Sequence, residues 1–256
     1  MIFIKIIVSF LFFSNFLFSQ ESKIKTEEAQ PETILFIGNS YLYYGDSLHN
    51  HFRRMVEEYF SGYDASSVKS ATIGGSRLKH HNVERLIKPK AISSIEKFDL
   101  VILQGGSGET LTVDSRKEFS YFVKKHVQTI RENNSQAALY MTHAYVEPHK
   151  KFTENQIKTI AETYTKVGIE NQALVIPVGL AFDLAYQKQP SIRLHKFDGS
   201  HPSLLGTYLA ACTVFSSIYG ESPIGLKYDY FGTINEKDKM FLQETADKAT
   251  SMFFNK

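Results

Sequence analysis

Five short β-type runs, separated by longer amphipathic stretches, constrain this chain most. Thr33-Ile-Leu-Phe-Ile37 ends at Gly38, Ser67–Ile73 at Gly74-Gly75, and Asp99–Gln104 at Gly105-Gly106. Gln136–Thr142 and Ala173–Val178 complete the set. An unbroken apolar run bounded by glycine is the signature of a strand covered on both faces, as in a parallel sheet. Helical spacing occupies the intervals: Ser47–Phe60, Asp114–Asn133, Thr153–Asn171 and the shorter Gly179–Gln189. Asp114 is placed to cap the second of these, and Thr153 falls near the start of the third. Pro202 suits the first turn of a helix running to Tyr219, and a last amphipathic helix covers Asn235–Phe254. The pattern predicts one α/β domain with a doubly wound, mostly parallel five-stranded sheet and flanking helices. Such sheets bind ligands beyond the carboxyl ends of their strands. Gly38-Asn39-Ser40, Gly74-Gly75-Ser76, Gln104–Ser107 and Thr142-His143-Ala144 should therefore gather on one edge.

Two N-terminal segments lie outside that pattern. Met1–Gln20 has a single charge, Lys5, then an apolar stretch interrupted by Ser9, Ser14 and Asn15. It reads as a secretory signal peptide, shorter than the ~20 apolar residues of a membrane anchor. Glu21–Pro31 is a polar lead-in, leaving 32–256 as the domain. Cys212 is the only cysteine, which excludes an intrachain disulfide and Cys-based metal sites. The net charge of +2 argues against nucleic acid or an anionic membrane as partner and fits an uncharged acyl ester.

Three segments carry chemistry. Ser40 follows the first strand at a glycine turn; it is a nucleophile only if a base takes its proton, and otherwise a turn or cap residue. Asp198-Gly199-Ser200-His201-Pro202 places a carboxylate three residues before an imidazole. Asp198 can curl back to Nδ1 of His201, leaving Nε2 free as a base; the plainer reading makes these turn residues around a surface ring. Acyl transfer also needs N–H donors for a developing oxyanion. The candidates are the backbone N–H of Ser40, the backbone N–H of Gly75 and the side-chain amide of Gln104. Each ends a different one of the first three strands.

The chain resembles the SGNH (GDSL-like) hydrolase superfamily, in particular a bacterial subfamily whose first block reads G-N-S. ILFIGNSYLYY matches the first block, ATIGGSRLKHH the second, LVILQGGSGE the third and FDGSHPSLLGTYLAAC the last. VIPVGLAFDLAY also looks like that subfamily, and the resemblance spans roughly 34–225. It implies a flavodoxin-like fold with Ser40 as nucleophile, His201 as general base, Asp198 orienting His201, and Gly75 as an oxyanion donor. Asn39 replaces the superfamily's Asp at a position expected to be structural. Gln104 stands where the superfamily has an oxyanion-hole Asn. The same amide sits one methylene further out.

Other signals are weaker. Gly105-Gly106-Ser107-Gly108-Glu109 imitates a G-x-S-x-G elbow but ends in Glu109, and no phosphate loop occurs. His49 and His51, and the adjacent His80-His81, lack metal-ligand spacing, so no metal and no cofactor is expected. His143 and His149 flank a cleft loop and read as solvated or substrate-touching. Tyr41, Tyr43 and Tyr44 form a wall facing substrate or pack beneath the first helix. Cys212 reads as a small core residue. The expected function is an exported serine esterase acting on a small-molecule or glycan ester, foremost a carbohydrate O-acetylesterase. Lipase, arylesterase or thioesterase activity and a non-catalytic glycan-binding role are the alternatives.

Overall fold

The computed structural model of the protein describes residues 30–255. The expected signal peptide and most of the lead-in lie outside the described residues. All five runs form strands: β1 (Ile34–Gly38), β2 (Val68–Thr72), β3 (Leu100–Gln104), β4 (Gln136–Tyr140) and β5 (Leu174–Ile176). Every neighbouring pair is parallel, in the order β2-β1-β3-β4-β5. The sequence explains the placement. ILFIG and LVILQ are buried along their full length and take central positions, whereas VKSAT, with Lys69, takes an edge.

The helices are α1 (Ser40–Tyr43), α2 (Leu48–Tyr59), α3 (Val83–Leu86), α4 (Val113–Glu132), α5 (Gln156–Glu170), α6 (Val178–Lys188), α7 (Leu204–Tyr219) and α8 (Glu236–Phe254). They pack in two groups, α2–α7–α8–α6 and α3–α4–α5, with α5 also meeting α6. α7 is enclosed by its neighbours, so residues 206–216 are all buried and Cys212 sits in the core. Among the described residues, no helix is long and apolar enough to cross a membrane.

Several expected boundaries move for reasons of capping. α4 is capped by Thr112, not Asp114: Thr112 Oγ1 accepts from Ser115 N at 3.1 Å, and Ser115 Oγ accepts from Thr112 N at 3.0 Å. α5 starts at Gln156, after Asn155 turns left-handed at φ +60. α7 starts at Leu204 with Ser203 as cap, so Pro202 precedes the helix and is not in its first turn. Instead Pro202 forms an antiparallel bridge with His195. Lys196 N donates to His201 O and Ser203 N to Leu194 O, both at 2.8 Å. The segment 195–202 is thus a small hairpin, and Asp198 and His201 lie on its tip.

Candidate active site

β1 delivers the chain into a tight turn before α1. Gly38 is required there by crowding: a Cβ would press on Gln104 Oε1 and approach Leu42 Cδ1 to 2.8 Å. Asn39 then makes three bonds. Its N–H donates to Gln104 Oε1 at 2.9 Å, its Oδ1 accepts from Tyr41 N at 3.1 Å, and its Nδ2 donates to Ser76 O at 2.9 Å. Ser40 follows with its position fixed from both sides.

The hairpin tip meets it. The Ser40 hydroxyl and His201 Nε2 are 2.9 Å apart, and His201 Nδ1 and Asp198 Oδ2 are 2.5 Å apart. Nδ1–H donating to Asp198 leaves Nε2 to accept from Ser40. The other carboxylate oxygen, Oδ1, accepts from Ser200 N at 2.9 Å and His201 N at 3.0 Å. Burial opposes the Asp198 charge, but the His201 ring and these two N–H groups outweigh it and bring its pKa down to about 2. The turn needs Gly199, which has φ +67 and whose Cβ would strike Val146 O.

Aromatic rings hold the His201 ring in place. Tyr44 stacks on His201 with centroids 4.1 Å apart, and Tyr41 meets it edge-on at 6.0 Å. Tyr41 also bonds Ser200 Oγ through its hydroxyl at 2.9 Å. His143 lies between Tyr41 and Phe182, at 4.2 and 4.5 Å, and its Nε2 is 2.8 Å from Ser200 O. Burial first, then neighbouring His195, pushes the His143 pKa well below its ordinary value, so the neutral ring donates to that carbonyl. Tyr41 and His143 are each 2% exposed, so Tyr41 takes the packed one of its two readings and His143 is not the solvated or substrate-touching loop ring expected. They brace the hairpin from behind. The three tyrosines divide their roles: Tyr41 is buried, Tyr44 half-buried against His201, and Tyr43 exposed.

Two of the three candidate oxyanion donors remain available. Neither the Ser40 N–H nor the Gly75 N–H donates within the described residues. Gly75 has φ +66 in a turn closed by Ser76 N donating to Ile73 O, and a Cβ there would meet nothing within 4 Å. Gln104 departs from expectation. It is 1% exposed, its Oε1 accepts from Asn39 N, and its Nε2 donates to Gly105 O. The longer side chain folds back onto the strand end, and its amide secures the Ser40 turn, with both polar atoms already partnered.

Sequence reasoning named Tyr44 only as a wall or packing residue, not as a partner of His201, and gave no site role to His81, whose Nε2 shares a 2.8 Å bond with Ser76 Oγ under the Gly75 turn. Both contacts are tertiary. Among the described residues, no three His, Cys, Asp or Glu side chains are grouped as metal ligands.

No family model matches the sequence, and no curated protein does. Solved structures do resemble it. A DUF4886 family protein from Bacteroides uniformis is 21% identical over 85% of this chain and 93% of its own, with TM-score 0.65. A candidate SGNH hydrolase from Slackia heliotrinireducens is 22% identical over 72% and 97%, with TM-score 0.54. An acetyl xylan esterase, AlAXEase, is 19% identical over 73% and 99%, also with TM-score 0.54. With its five parallel strands in that order and its flanking helices, the chain has the SGNH hydrolase fold.

Proposed function

We propose that the protein is an exported serine ester hydrolase that works through an acyl-enzyme, and that its substrate is an O-acetylated carbohydrate. The observation that carries this reading is the continuous chain from Asp198 through His201 to Ser40. Ser40 Oγ attacks the acyl carbonyl carbon as its proton passes to His201 Nε2. Asp198 stabilises the imidazolium and fixes its orientation. The N–H groups of Ser40 and Gly75 hold the oxyanion of the tetrahedral intermediate. Collapse expels the alkoxide, which takes the proton from Nε2, and water then attacks the acyl-enzyme through the same base. Tyr44, Tyr41 and His143 position the hairpin and touch no reacting atom. The carbohydrate part rests on the acetyl xylan esterase with the same fold, and export on the signal-peptide character of residues 1–20.

Intact-mass measurement after incubation with a fluorophosphonate tests the reading. One equivalent should add to the wild-type protein and none to Ser40→Ala. On an acetyl ester, Ser40→Ala or His201→Ala should lower kcat by about 10³–10⁶. Labelling that survives Ser40→Ala, or near-wild-type turnover by that variant when folded, would overturn it. A panel of acetylated sugars against long-chain acyl esters tests the substrate class, and preference for long chains would count against a deacetylase.

A further inference from the structure

The small net charge of the chain hides an uneven distribution around the triad. Three loops border it: cations outnumber carboxylates on the hairpin side and after Gly75, whereas the second loop has Lys150 and Lys151 alongside Glu147 and Glu154. On the hairpin, Lys196 Nζ lies 4.8 Å over the ring of Tyr44, the ring that stacks on His201, and Arg193, just before the hairpin, lies 5.8 Å over Phe197. Phe197 is 87% exposed beside Asp198. The second loop is tied to the hairpin by Val146 N donating to Gly199 O at 2.9 Å, and it carries the exposed Lys150 and Lys151. His149, between them and the triad, stacks on Tyr145 at 3.8 Å. Its pKa is lowered by burial and then by Lys151, with smaller influences from Asp198, Lys150 and His201, as expected for groups this near the triad. On the third loop, after Gly75, Arg77 and Lys79 share the one carboxylate of Glu118.

Lys150, Lys151, Arg193 and Lys196 form no ion pair among the described residues. The free carboxylates nearby are Glu147 and, at the approach to α5, Glu154. Charges held apart from partners on several sides of a reactive serine suit an extended anion that crosses the site. The exposed faces of Phe197 and Tyr43 suit the apolar faces of sugar rings. A compact neutral ester would use neither feature.

Resting on the esterase reading, we infer that the ester is carried on an acidic polysaccharide: an O-acylated glycan with uronic-acid units, whose carboxylates meet Lys150, Lys151, Lys196 and Arg193 while its rings lie against Phe197. An anionic lipid surface is the competing source of negative charge. It is disfavoured because the cations are spread over three loops around the triad rather than ringing one broad apolar patch.

The experiment compares kcat/KM on p-nitrophenyl acetate, acetylated xylan and acetylated polygalacturonate, at about 20 mM and about 500 mM salt. Acetylated polygalacturonate should be preferred over acetylated xylan at low salt. That preference should shrink by about tenfold at high salt, through a rise in KM, while p-nitrophenyl acetate hydrolysis responds little. The triple variant Lys150→Gln/Lys151→Gln/Arg193→Gln should reduce the same preference without added salt. Equal use of both glycans, or a preference indifferent to salt and to the triple variant, overturns the inference. Tight binding to phosphatidylglycerol vesicles with faster cleavage of their lipid esters assigns the cations to a membrane and also overturns it. Hydrolysis of none of the three esters refutes the esterase reading itself. Retardation in a gel containing unacetylated polygalacturonate, lost in the triple variant, then tests the charge reading alone, and unretarded migration overturns it.

Discussion

The side-chain amide of Asn39 donates to the carbonyl of Ser76 at 2.9 Å, joining the turn that carries Ser40 to the turn that carries Gly75. The bond requires a donor at Nδ2 and an acceptor at Oδ1, since Oδ1 takes the Tyr41 N–H. An aspartate keeps the cap and replaces the donor with a second acceptor facing a carbonyl. Asn39 is 4% exposed, so water does not relieve that conflict. Asn39→Asp should cost about 1–3 kcal/mol of stability. It should also lower kcat/KM by letting the two oxyanion donors drift apart. Urea unfolding and acetyl-ester kinetics check both, and a variant with wild-type midpoint and turnover would refute this account of Asn39.

Gly199 makes a second prediction. Its left-handed φ and the carbonyl of Val146 both exclude a side chain, and it lies between Asp198 and His201. Gly199→Ala must distort the hairpin tip, at a cost of about 1–3 kcal/mol for backbone strain. Turnover should fall by more than the loss of folded protein explains, because the Asp198–His201–Ser40 alignment is what the distortion moves. Circular dichroism alongside kcat measures the two separately. Unchanged kcat in the folded fraction would show that the hairpin tolerates the side chain.

The sheet and the positions of Ser40, Asp198 and His201 were legible because each is written in local sequence. A short apolar run stopped by glycine reads locally as a buried strand, and Asp198 reaches His201 across only three residues. Gln104 was not legible. Its side chain chooses between a cleft and its own strand end according to what crowds Gly38, and that depends on Leu42 and Asn39 from another element. His143 failed for the same kind of reason: its loop position suggested solvent, but Tyr41, Phe182 and the Ser200 carbonyl enclose it. Net charge was legible and its distribution was not, since Lys151 and Arg193 are far apart in the chain.

Asp198→Asn tests orientation apart from folding. The carboxylate accepts from His201 Nδ1–H, whereas an amide nitrogen there would favour the tautomer with its proton on Nε2, which cannot take one from Ser40. Oδ1 can still accept from Ser200 and His201 N–H, so the fold should survive with a modest drop in melting temperature, that of the lost carboxylate charge, while kcat falls by about 10⁴. In the wild type, Asp198 with its pKa near 2 stays ionised throughout an ordinary assay range. His143 and His195 are held neutral there, by burial first in both cases. The acid limb of kcat/KM should therefore have unit slope, since one proton on the base blocks the reaction. A slope of two would show a second titrating group in the site.

Stability has its own pH dependence. Burial is the first cause lowering His49, His81 and His195 from the ordinary 6.5 to about 4. Each is neutral in the folded protein while its unfolded counterpart takes up a proton below 6.5. The unfolded state then binds more protons, so stability is full above that value and is lost as the pH falls toward 4. Asp198 has the same sign in a lower window: its contribution is present above 3.8 and is lost as the pH falls through about 2. Melting temperatures should decline steadily between these histidine limits and decline again below them. His81→Gln should flatten the upper decline in part, because one of the contributing sites no longer titrates. A melting temperature that stays constant from about pH 7 to about pH 4 would show that these rings are not held neutral in the folded protein.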